Sequence, residues 1–297
     1  MRTSAWMFLR ERYDRHVIVD FHTHVFPREV IEDRDRFVRD DLTFATLYAS
    51  PKAKLASADD LMRSMDEAGV DVSVALAFAW SDADACRKHN DELIEAAAAS
   101  HGRIVQFGML PLASGAHAIV AEAERCIAAG MRGFGELRPD SVGVDTAQPE
   151  MVEALSEVAA SGAVLLFHVS EPVGHAYAGK EGFGIERYYR LLQALPEARI
   201  VGAHWGGGLP FYAHMPEVRE RLSSSWVDTA ATSLLYAPGV YRDIAASIGA
   251  ERILFGSDFP LLSQARSRRR IEEESGLPPG DIERVLGVNA QQLLGLS

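Results

Sequence analysis

Short apolar, β-branched runs alternate with longer helical patterns along almost the whole chain. This alternation is typical of parallel strands joined by crossover helices. The strand-like runs are 17–24, 70–79, 104–111, 131–137, 163–170, 199–204, 226–230 and 252–258. Most lack polar alternation, as expected where both faces of a strand are covered. Eight such units fit a closed barrel better than an open sheet, so we predict an α/β fold, a single (β/α)8 TIM barrel.

The segments between these runs carry apolar residues at helical spacing. They are 58–68, 82–100, 115–129, 150–161, 185–194, 211–222 and 239–248, followed by a closing helical tail over 281–296. Several end at a glycine, such as Gly69, where a helix C-cap favours left-handed backbone. The pattern therefore predicts one helix after each strand.

Two connections that follow strands, 25–57 and 171–184, are too long to be simple turns. A barrel keeps its substrate contacts in the loops at the carboxyl ends of its strands. The first connection contains Phe37, Phe44 and Tyr48. These aromatic side chains fit either a cover over a pocket or a subunit contact in a homodimer, and the sequence leaves both open.

The size and charge of the chain limit its classes of partner. A length of 297 residues allows one barrel domain spanning 1–297. The net charge of −12 disfavours nucleic acid and anionic membrane surfaces and leaves a small-molecule substrate. No run approaches the roughly 18 apolar residues of a membrane span, and the two cysteines are too few for a disulfide framework. We therefore expect a cytoplasmic protein.

Residues that can bind a metal recur where the predicted strands end. They are His22 and His24 in the first run, Glu136 in the fourth, His168 in the fifth, His204 in the sixth and Asp258 in the eighth. Residues two apart on a strand point the same way, so His22 and His24 can share an ion. Isolated histidines at strand ends often only bond to loops, but six groups at one end of a barrel indicate a site.

The imidazole and carboxylate groups of this set predict a divalent metal. They suit Zn²⁺ first, with Mn, Fe, Co and Ni also compatible. We expect one or two ions. The remaining histidines near the set are weaker candidates: His175 lies in the second long connection, and His214 fits a structural role.

The motifs DFHTHVFP, AHWGGG, FGSDFP and GVNAQQLL, together with the His168 strand, resemble the amidohydrolase superfamily. The resemblance is closest to the amidohydrolase-2 branch and covers about 17–294. That branch contains metal-dependent hydrolases, lactonases and nonoxidative decarboxylases related to aminocarboxymuconate semialdehyde decarboxylase. Carried over by motif, the resemblance implies that His22, His24, His168 and Asp258 are metal ligands and that His204 is a catalytic histidine.

Glu136 departs from the pattern of this branch. The segment GFGELRP has a glutamate where many members show a lysine-containing GFKL-type segment. It resembles the strand-four glutamate of the TatD-type branch, which can hold a second metal. Alternatively, Glu136 pairs with Arg138 or His204 and orients a ligating imidazole. The acidic surface disfavours the DNA substrate of a TatD-type enzyme.

A metal-dependent hydrolase is the function we expect from this set. Metal-bound water becomes acidic enough to attack at neutral pH. Asp258 would act as the catalytic base, and His204 would steady the developing oxyanion on a small ester, lactone or amide. The alternative is a metal-dependent nonoxidative decarboxylase of an unsaturated or aromatic acid. A barrel that only binds a ligand is a third hypothesis.

Three further residues are candidates for substrate binding. Arg138 follows the fourth strand and could hold a substrate carboxylate, with a surface salt bridge as the alternative. His175 and Lys180 lie in the connection after the fifth strand. Gly206, Gly207 and Gly208 follow His204, where they allow either close backbone approach to a ligand or a plain turn.

Overall fold

The computed structural model describes residues 16–180 and 182–296, and within them eight parallel strands pair in chain order. The strands are β1 (Val19–His24), β2 (Val72–Leu76), β3 (Ile104–Gly108), β4 (Gly133–Leu137), β5 (Val164–Phe167), β6 (Arg199–Gly202), β7 (Trp226–Asp228) and β8 (Ile253–Leu254). The chain after β8 returns to β1, where His24 N donates to Phe259 O and Thr23 pairs with Phe259. The predicted TIM barrel is confirmed.

Helices alternate with these strands. They are α1 (Arg28–Glu32), α2 (Arg34–Asp40), α3 (Leu42–Tyr48), α4 (Ala58–Ala68), α5 (Ala83–Ala99), α6 (Ala116–Ala128), α7 (Pro149–Ala160), α8 (Ile185–Ala194), α9 (Pro216–Leu222), α10 (Thr232–Leu235), α11 (Val240–Ile248), α12 (Gln264–Glu274), α13 (Pro279–Glu283) and α14 (Asn289–Leu294). A π-helical turn, Arg284–Val288, joins the last two, and short 3-10 turns occupy Leu112–Ser114, Pro139–Val142, Leu209–Tyr212 and Ala250–Arg252.

The boundaries of α4 follow from its sequence. Ser57 Oγ accepts from Asp60 N, and the Asp60 carboxylate accepts from Ser57 N, which forms a capping box. The helix ends at Gly69, whose φ of 63° places it in the left-handed region that glycine tolerates. The predicted helix over 58–68 therefore has the expected ends.

Several predicted segments differ from the structure. The predicted strand over 252–258 is limited to β8, so Asp258 lies in the turn beyond it. The predicted helix over 211–222 begins only at Pro216, because proline is favoured in the first turn of a helix and disfavoured in its interior. The long connection after β1 is not plain loop, since it contains α1, α2 and α3. These short helices place several aromatic side chains over the barrel.

The apolar core has two layers. One cluster joins alternate residues of neighbouring strands, such as Val19, Phe21, Val74 and Phe107, with Leu293 of α14, and it fills the inside of the barrel. The larger cluster lies between the outer face of the strands and the helices. Together they fix the positions of the strand ends, where the candidate site lies.

The predicted domain 1–297 extends beyond the described residues at both ends. Among 16–180 and 182–296, no helix is both long and apolar enough to cross a membrane. Cys86 and Cys126 are free and buried.

Candidate active site

The two histidines of β1 face each other at the mouth of the barrel. His22 Nε2 and His24 Nε2 are 3.1 Å apart, and His22 Nδ1 donates to Asp228 Oδ2 at 2.7 Å. Burial alone would lower the pKa of His22, but the charge and hydrogen bond of Asp228 raise it to about 10. Burial and the neighbouring His22 lower the pKa of His24 to about 4. One proton thus lies between two nitrogens that can both bind a metal.

Asp258 completes a three-residue cluster with these histidines. Its Oδ1 lies 3.8 Å from His22 Nε2 and 3.6 Å from His24 Nε2. The backbone N–H of Asp258 donates to the carbonyl of His22, and its φ of 64° is unusual for a residue other than glycine. The return of the chain to β1 therefore holds the carboxylate against the histidine pair.

Glu136, at the end of β4, lies between two other histidines. Its Oε1 accepts from His168 Nδ1 at 2.9 Å and from His204 Nε2 at 3.1 Å. Although burial opposes ionisation, His168 and the two hydrogen bonds hold the pKa of Glu136 well below its ordinary value. Glu136 thus bonds His204, as one of the two interpretations predicted, and forms no ion pair with Arg138.

His204 begins an unusual turn. His204 and Trp205 have φ values of 55° and 60°, and Gly206, Gly207 and Gly208 continue with positive φ. Left-handed backbone costs energy in residues with a side chain and little in glycine, so the glycines extend a turn that already strains two residues. The glycines in this part of AHWGGG therefore serve the turn that aims the His204 imidazole.

Asp228 of β7 joins the two halves of the site. It is fully buried, and its Oδ1 accepts from the backbone N–H groups of His204 and Ala230 while Oδ2 accepts from His22 Nδ1. A carboxylate behind a ligating imidazole fixes its orientation and tautomer. Our sequence analysis missed Asp228, although a single acid in an otherwise apolar strand is a signal that could have found it.

The donor set fits a divalent cation. Ligand atoms of His22, His24 and Asp258 lie within 4.8 Å of one another, as do those of His22, Glu136 and His204. His24 Nδ1 is buried without a hydrogen-bond partner. A cation that replaced the proton between the two Nε2 atoms would use both lone pairs, as expected when metal binding releases protons.

His168 lies beside this cluster without belonging to it. Its Nδ1 donates to Glu136, and its Nε2 lies 3.0 Å from Ser170 Oγ. Burial and the nearby Arg138 lower the pKa of His168 to about 3. The Nε2 of His168 is engaged by the hydroxyl of Ser170, a contact that was not predicted from the sequence.

The three candidate substrate-binding residues have different surroundings. Arg138 is buried with a relative exposure of 6%, so it is not the surface residue that a salt bridge there would require. Lys180 Nζ donates to the carbonyls of Val173 and His175, which occupies it within its own loop. His175 is exposed, and its ring packs near Tyr177.

The aromatic residues of the first connection pack inward. Phe44 is fully buried and stacks on Trp80, and Tyr48 packs against Phe26 and Phe78. Burial raises the pKa of the Tyr48 phenol above its ordinary value, and Asp258 adds to the rise. Tyr48 thus packs within the aromatic cluster that follows β1.

Solved structures share this architecture. The chain aligns with 2,6-dihydroxybenzoate decarboxylase from Rhizobium at 18% identity, with a TM-score of 0.74 and coverage of 95% of this chain and 99% of that one. It aligns with the 5-carboxyvanillate decarboxylase of Sphingomonas paucimobilis at 19% identity and a TM-score of 0.74, covering 95% of this chain and 100% of that one. A dihydroxybenzoic acid decarboxylase from Polaromonas was solved with manganese and 2-nitroresorcinol. The chain aligns with it at 20% identity and a TM-score of 0.75, covering 95% of this chain and 98% of that one. At these identities the likeness shows the fold alone.

The sequence comparisons place the chain in a family. A search of curated proteins found no match. The family model described as amidohydrolase matches residues 19–296, nearly the whole barrel and every candidate ligand. The chain therefore belongs to the amidohydrolase family, whose superfamily consists of enzymes. This confirms the family predicted from its motifs.

Proposed function

We propose that the chain is a metal-dependent nonoxidative decarboxylase of a small aromatic or unsaturated acid. The observation that carries this proposal is the surroundings of His204. Its Nε2 faces Glu136 Oε1 at 3.1 Å and its Nδ1 faces the carbonyl oxygen of Ala230 at 3.3 Å. Both partners accept hydrogen bonds, so the ring is held in its doubly protonated form. A proton is thus stored beside the candidate ion site, where decarboxylation needs an acid.

The bound ion would be held by His22, His24 and Asp258, with His168 as a further ligand implied by the resemblance. It would supply a positive charge that binds and polarises an acidic substrate. We expected Zn²⁺ from the ligand types, and Mn²⁺ gains support from the Polaromonas structure, which was solved with manganese. Both suit a site of imidazoles and carboxylates.

His204 and Glu136 act as a pair in this proposal. His204 donates its proton to the carbon that carries the carboxylate. The bond between that carbon and the carboxylate breaks, its electron pair stays with the product carbon, and carbon dioxide leaves. Glu136 stabilises the imidazolium before the transfer, and solvent restores the proton afterwards. One proton is consumed for each carbon dioxide released.

The surroundings of the site support an aromatic substrate. Tyr48 stacks on Phe44 with ring centroids 4.9 Å apart, in the connection that follows the strand of His22 and His24. The similar structures named above are decarboxylases of dihydroxybenzoates and 5-carboxyvanillate. These substrates are aromatic acids, the class that we propose for this chain.

Hydrolysis by two ions is the second candidate, and the cluster of His22, Glu136 and His204 favours it. However, His22 Nδ1 is bonded to Asp228, which leaves Nε2 as its only ligand atom. Both clusters contain His22, so they compete for that nitrogen and describe alternative positions of one ion. A single ion supports decarboxylation better than a binuclear hydrolytic site.

The test is a product assay on the purified protein, reconstituted separately with Mn²⁺ and Zn²⁺. Hydroxybenzoates labelled with ¹³C in the carboxyl group would be incubated in D₂O beside a panel of esters, lactones and amides. We expect labelled carbon dioxide and deuterium at the vacated carbon. Turnover of the ester, lactone or amide panel, with no carbon dioxide from any acid, would overturn the proposal.

A matched pair of variants tests the role of His204. His204 and the exposed His101 both have left-handed backbone, with φ of 55° and 54°, and asparagine tolerates that region. We expect His204→Asn to lose about 100-fold or more in decarboxylation, as is typical for removal of a general acid. The control His101→Asn should retain full turnover.

A further inference from the structure

Arg138 carries a buried charge that no described carboxylate neutralises. Its Nε donates to Ser141 Oγ at 3.3 Å and its Nη2 donates to the carbonyl of Gly179 at 2.7 Å. Among the described residues no carboxylate lies within 4.0 Å of the guanidinium. Nη1 of Arg138 makes no hydrogen bond to a described residue, and it is not among the fully buried atoms of the site. Because a buried charge is costly unless paired, this open edge is suited to an anion.

Arg138 directly follows β4, two residues after Glu136, so both side chains start from the strand end that carries the candidate site. The charge of Arg138 helps burial to lower the pKa of His168. Burial raises the pKa of Tyr48; Asp258 and Glu136 act in the same direction, and Arg138 opposes them. The backbone N–H of His168 donates to the carbonyl of Leu137, the residue between Glu136 and Arg138, at 3.0 Å. Arg138 therefore leaves the same strand end as the carboxylate that bonds His168 and His204.

The surrounding loop holds the guanidinium in place. Gly179 has a φ of 82°, and a Cβ at this position would lie 2.9 Å from Arg138 Nη2 and 2.6 Å from Leu47 Cδ2. Only glycine allows the loop to approach so closely. Lys180, whose Nζ bonds two carbonyls of the same loop, stabilises this arrangement. Arg138 is thus preorganised, which reduces the entropy lost on binding.

Asp140 is the charged neighbour that could compete for Arg138. Burial raises the pKa of Asp140, and Arg138 opposes that rise, so the two groups interact. They do not come within ion-pair distance, and among residues 16–180 and 182–296 Asp140 Oδ1 has no hydrogen-bond partner. Asp140 therefore leaves the open edge of the guanidinium available.

We propose that Arg138 binds an acidic group which the substrate retains, so that the preferred substrate is an aromatic diacid rather than a monoacid. This inference rests on the proposed decarboxylase function. It makes Arg138 a residue that determines specificity.

The retained group, rather than the departing one, belongs on Arg138 for a physical reason. As carbon dioxide forms, the departing carboxylate loses its negative charge. A cation clamped on that group would stabilise the ground state more than the transition state and slow the reaction. A cation on a carboxylate that keeps its charge stabilises both states and improves binding.

The first experiment compares three ligands on the wild-type protein. They are 4-hydroxybenzene-1,3-dicarboxylate, its methyl ester at the carboxylate para to the hydroxyl, and 2-hydroxybenzoate. All three keep a carboxylate beside the hydroxyl, and only the diacid has a second charge. We expect the diacid to bind about 10- to 100-fold more tightly by calorimetry than either analogue. Equal affinities would overturn the proposal.

Variants at Arg138 provide the second measurement. Arg138→Met should erase the preference for the diacid, and Arg138→Lys should keep part of it, because lysine retains the charge without the planar fork. The control Arg190→Met removes an exposed guanidinium of α8 and should leave the preference unchanged. If Arg138→Met does not fold, the Lys variant and the wild-type ester comparison decide.

The two proposals fail in different ways. Arg138-dependent binding of the diacid without release of carbon dioxide from any acid would overturn the decarboxylase and keep the anion site. Decarboxylation of 2-hydroxybenzoate and the diacid with equal KM would keep the decarboxylase and overturn the role of Arg138.

Discussion

Two histidines of the first part of the chain, the half-buried His24 and the fully buried His89, have opposite surroundings. His89 of α5 is saturated: its Nδ1 accepts from Trp80 Nε1 and Phe78 N, and its Nε2 donates to the carbonyl of Val25. His24 has one buried nitrogen without a partner, and its other nitrogen faces a second imidazole. Burial lowers the pKa of both, to about 3 for His89 and about 4 for His24.

The difference lies in where the lone pairs point. Every nitrogen of His89 is used by the fold, so this residue fastens α5 to the end of β1 and to the segment after β2. The Nε2 of His24 faces only another imidazole and two carboxylates, an arrangement that a cation would complete. Hydrogen-bond partners, rather than burial or charge, thus separate a structural histidine from a functional one.

Removal of the metal-facing histidines should have the largest effect. In the double variant His22→Ala, His24→Ala the ion site loses two of its three clustered ligands. We expect less than one tenth of an equivalent of bound metal and a fall in kcat/KM of about 1000-fold or more, since a metal supplies several kcal/mol to the transition state. Elemental analysis after reconstitution measures the first and a turnover assay the second. His101→Asn is the control, and a double variant with full metal content would refute the site.

Asp228 should show an intermediate effect on metal and activity. Asp228→Asn keeps the size of the side chain but weakens its hold on His22 Nδ1. We expect about a 10- to 100-fold loss in metal affinity or activity, as is typical of carboxylates behind ligating histidines. Metal titration with a competing chelator measures the affinity. Asp243→Asn on α11 is a matched control, and equal affinities in the two variants would show that Asp228 serves only the fold.

Asp228 also shows which parts of the site can be predicted from the sequence and which cannot. The order of eight strands and the strands that carry His22 and Glu136 follow from local apolar patterns, and the family motifs follow from the same residues. Asp258 lies beyond β8, in a turn that the apolar pattern did not separate from the strand. Asp228 is bonded to His22, 206 positions away, and to the backbone of His204. No local pattern encodes such contacts. The contact of His168 with Ser170 and the left-handed turn at His204 likewise depend on tertiary packing.

A His89 variant should show the opposite result to the variant of His22 and His24, with a loss of stability and no loss of metal. His89→Ala leaves Trp80 Nε1, the Phe78 amide and the Val25 carbonyl without their partner. We expect a loss of roughly 3 kcal/mol in the free energy of unfolding, because unsatisfied buried polar groups cost about 1–3 kcal/mol each. Urea denaturation of the metal-free protein measures this loss. Bound metal should stay at the wild-type level, and a loss of metal with unchanged stability would reverse the roles assigned to His24 and His89.

The smallest expected effect is the contribution of His89 to pH dependence. Because burial lowers its pKa to about 3 from an ordinary value of 6.5, the unfolded chain binds a proton that the folded protein refuses. The stability contributed by neutral His89 is complete above about pH 6.5 and is lost as the pH falls towards about 3. Between pH 7 and pH 6 the loss is about 0.7 kcal/mol. His24 and His168 add losses of the same sign in both proteins, so the measured quantity is the difference between wild type and His89→Gln. We expect the wild-type unfolding free energy to fall more steeply with acid, and parallel curves would show that His89 does not stay neutral in the fold.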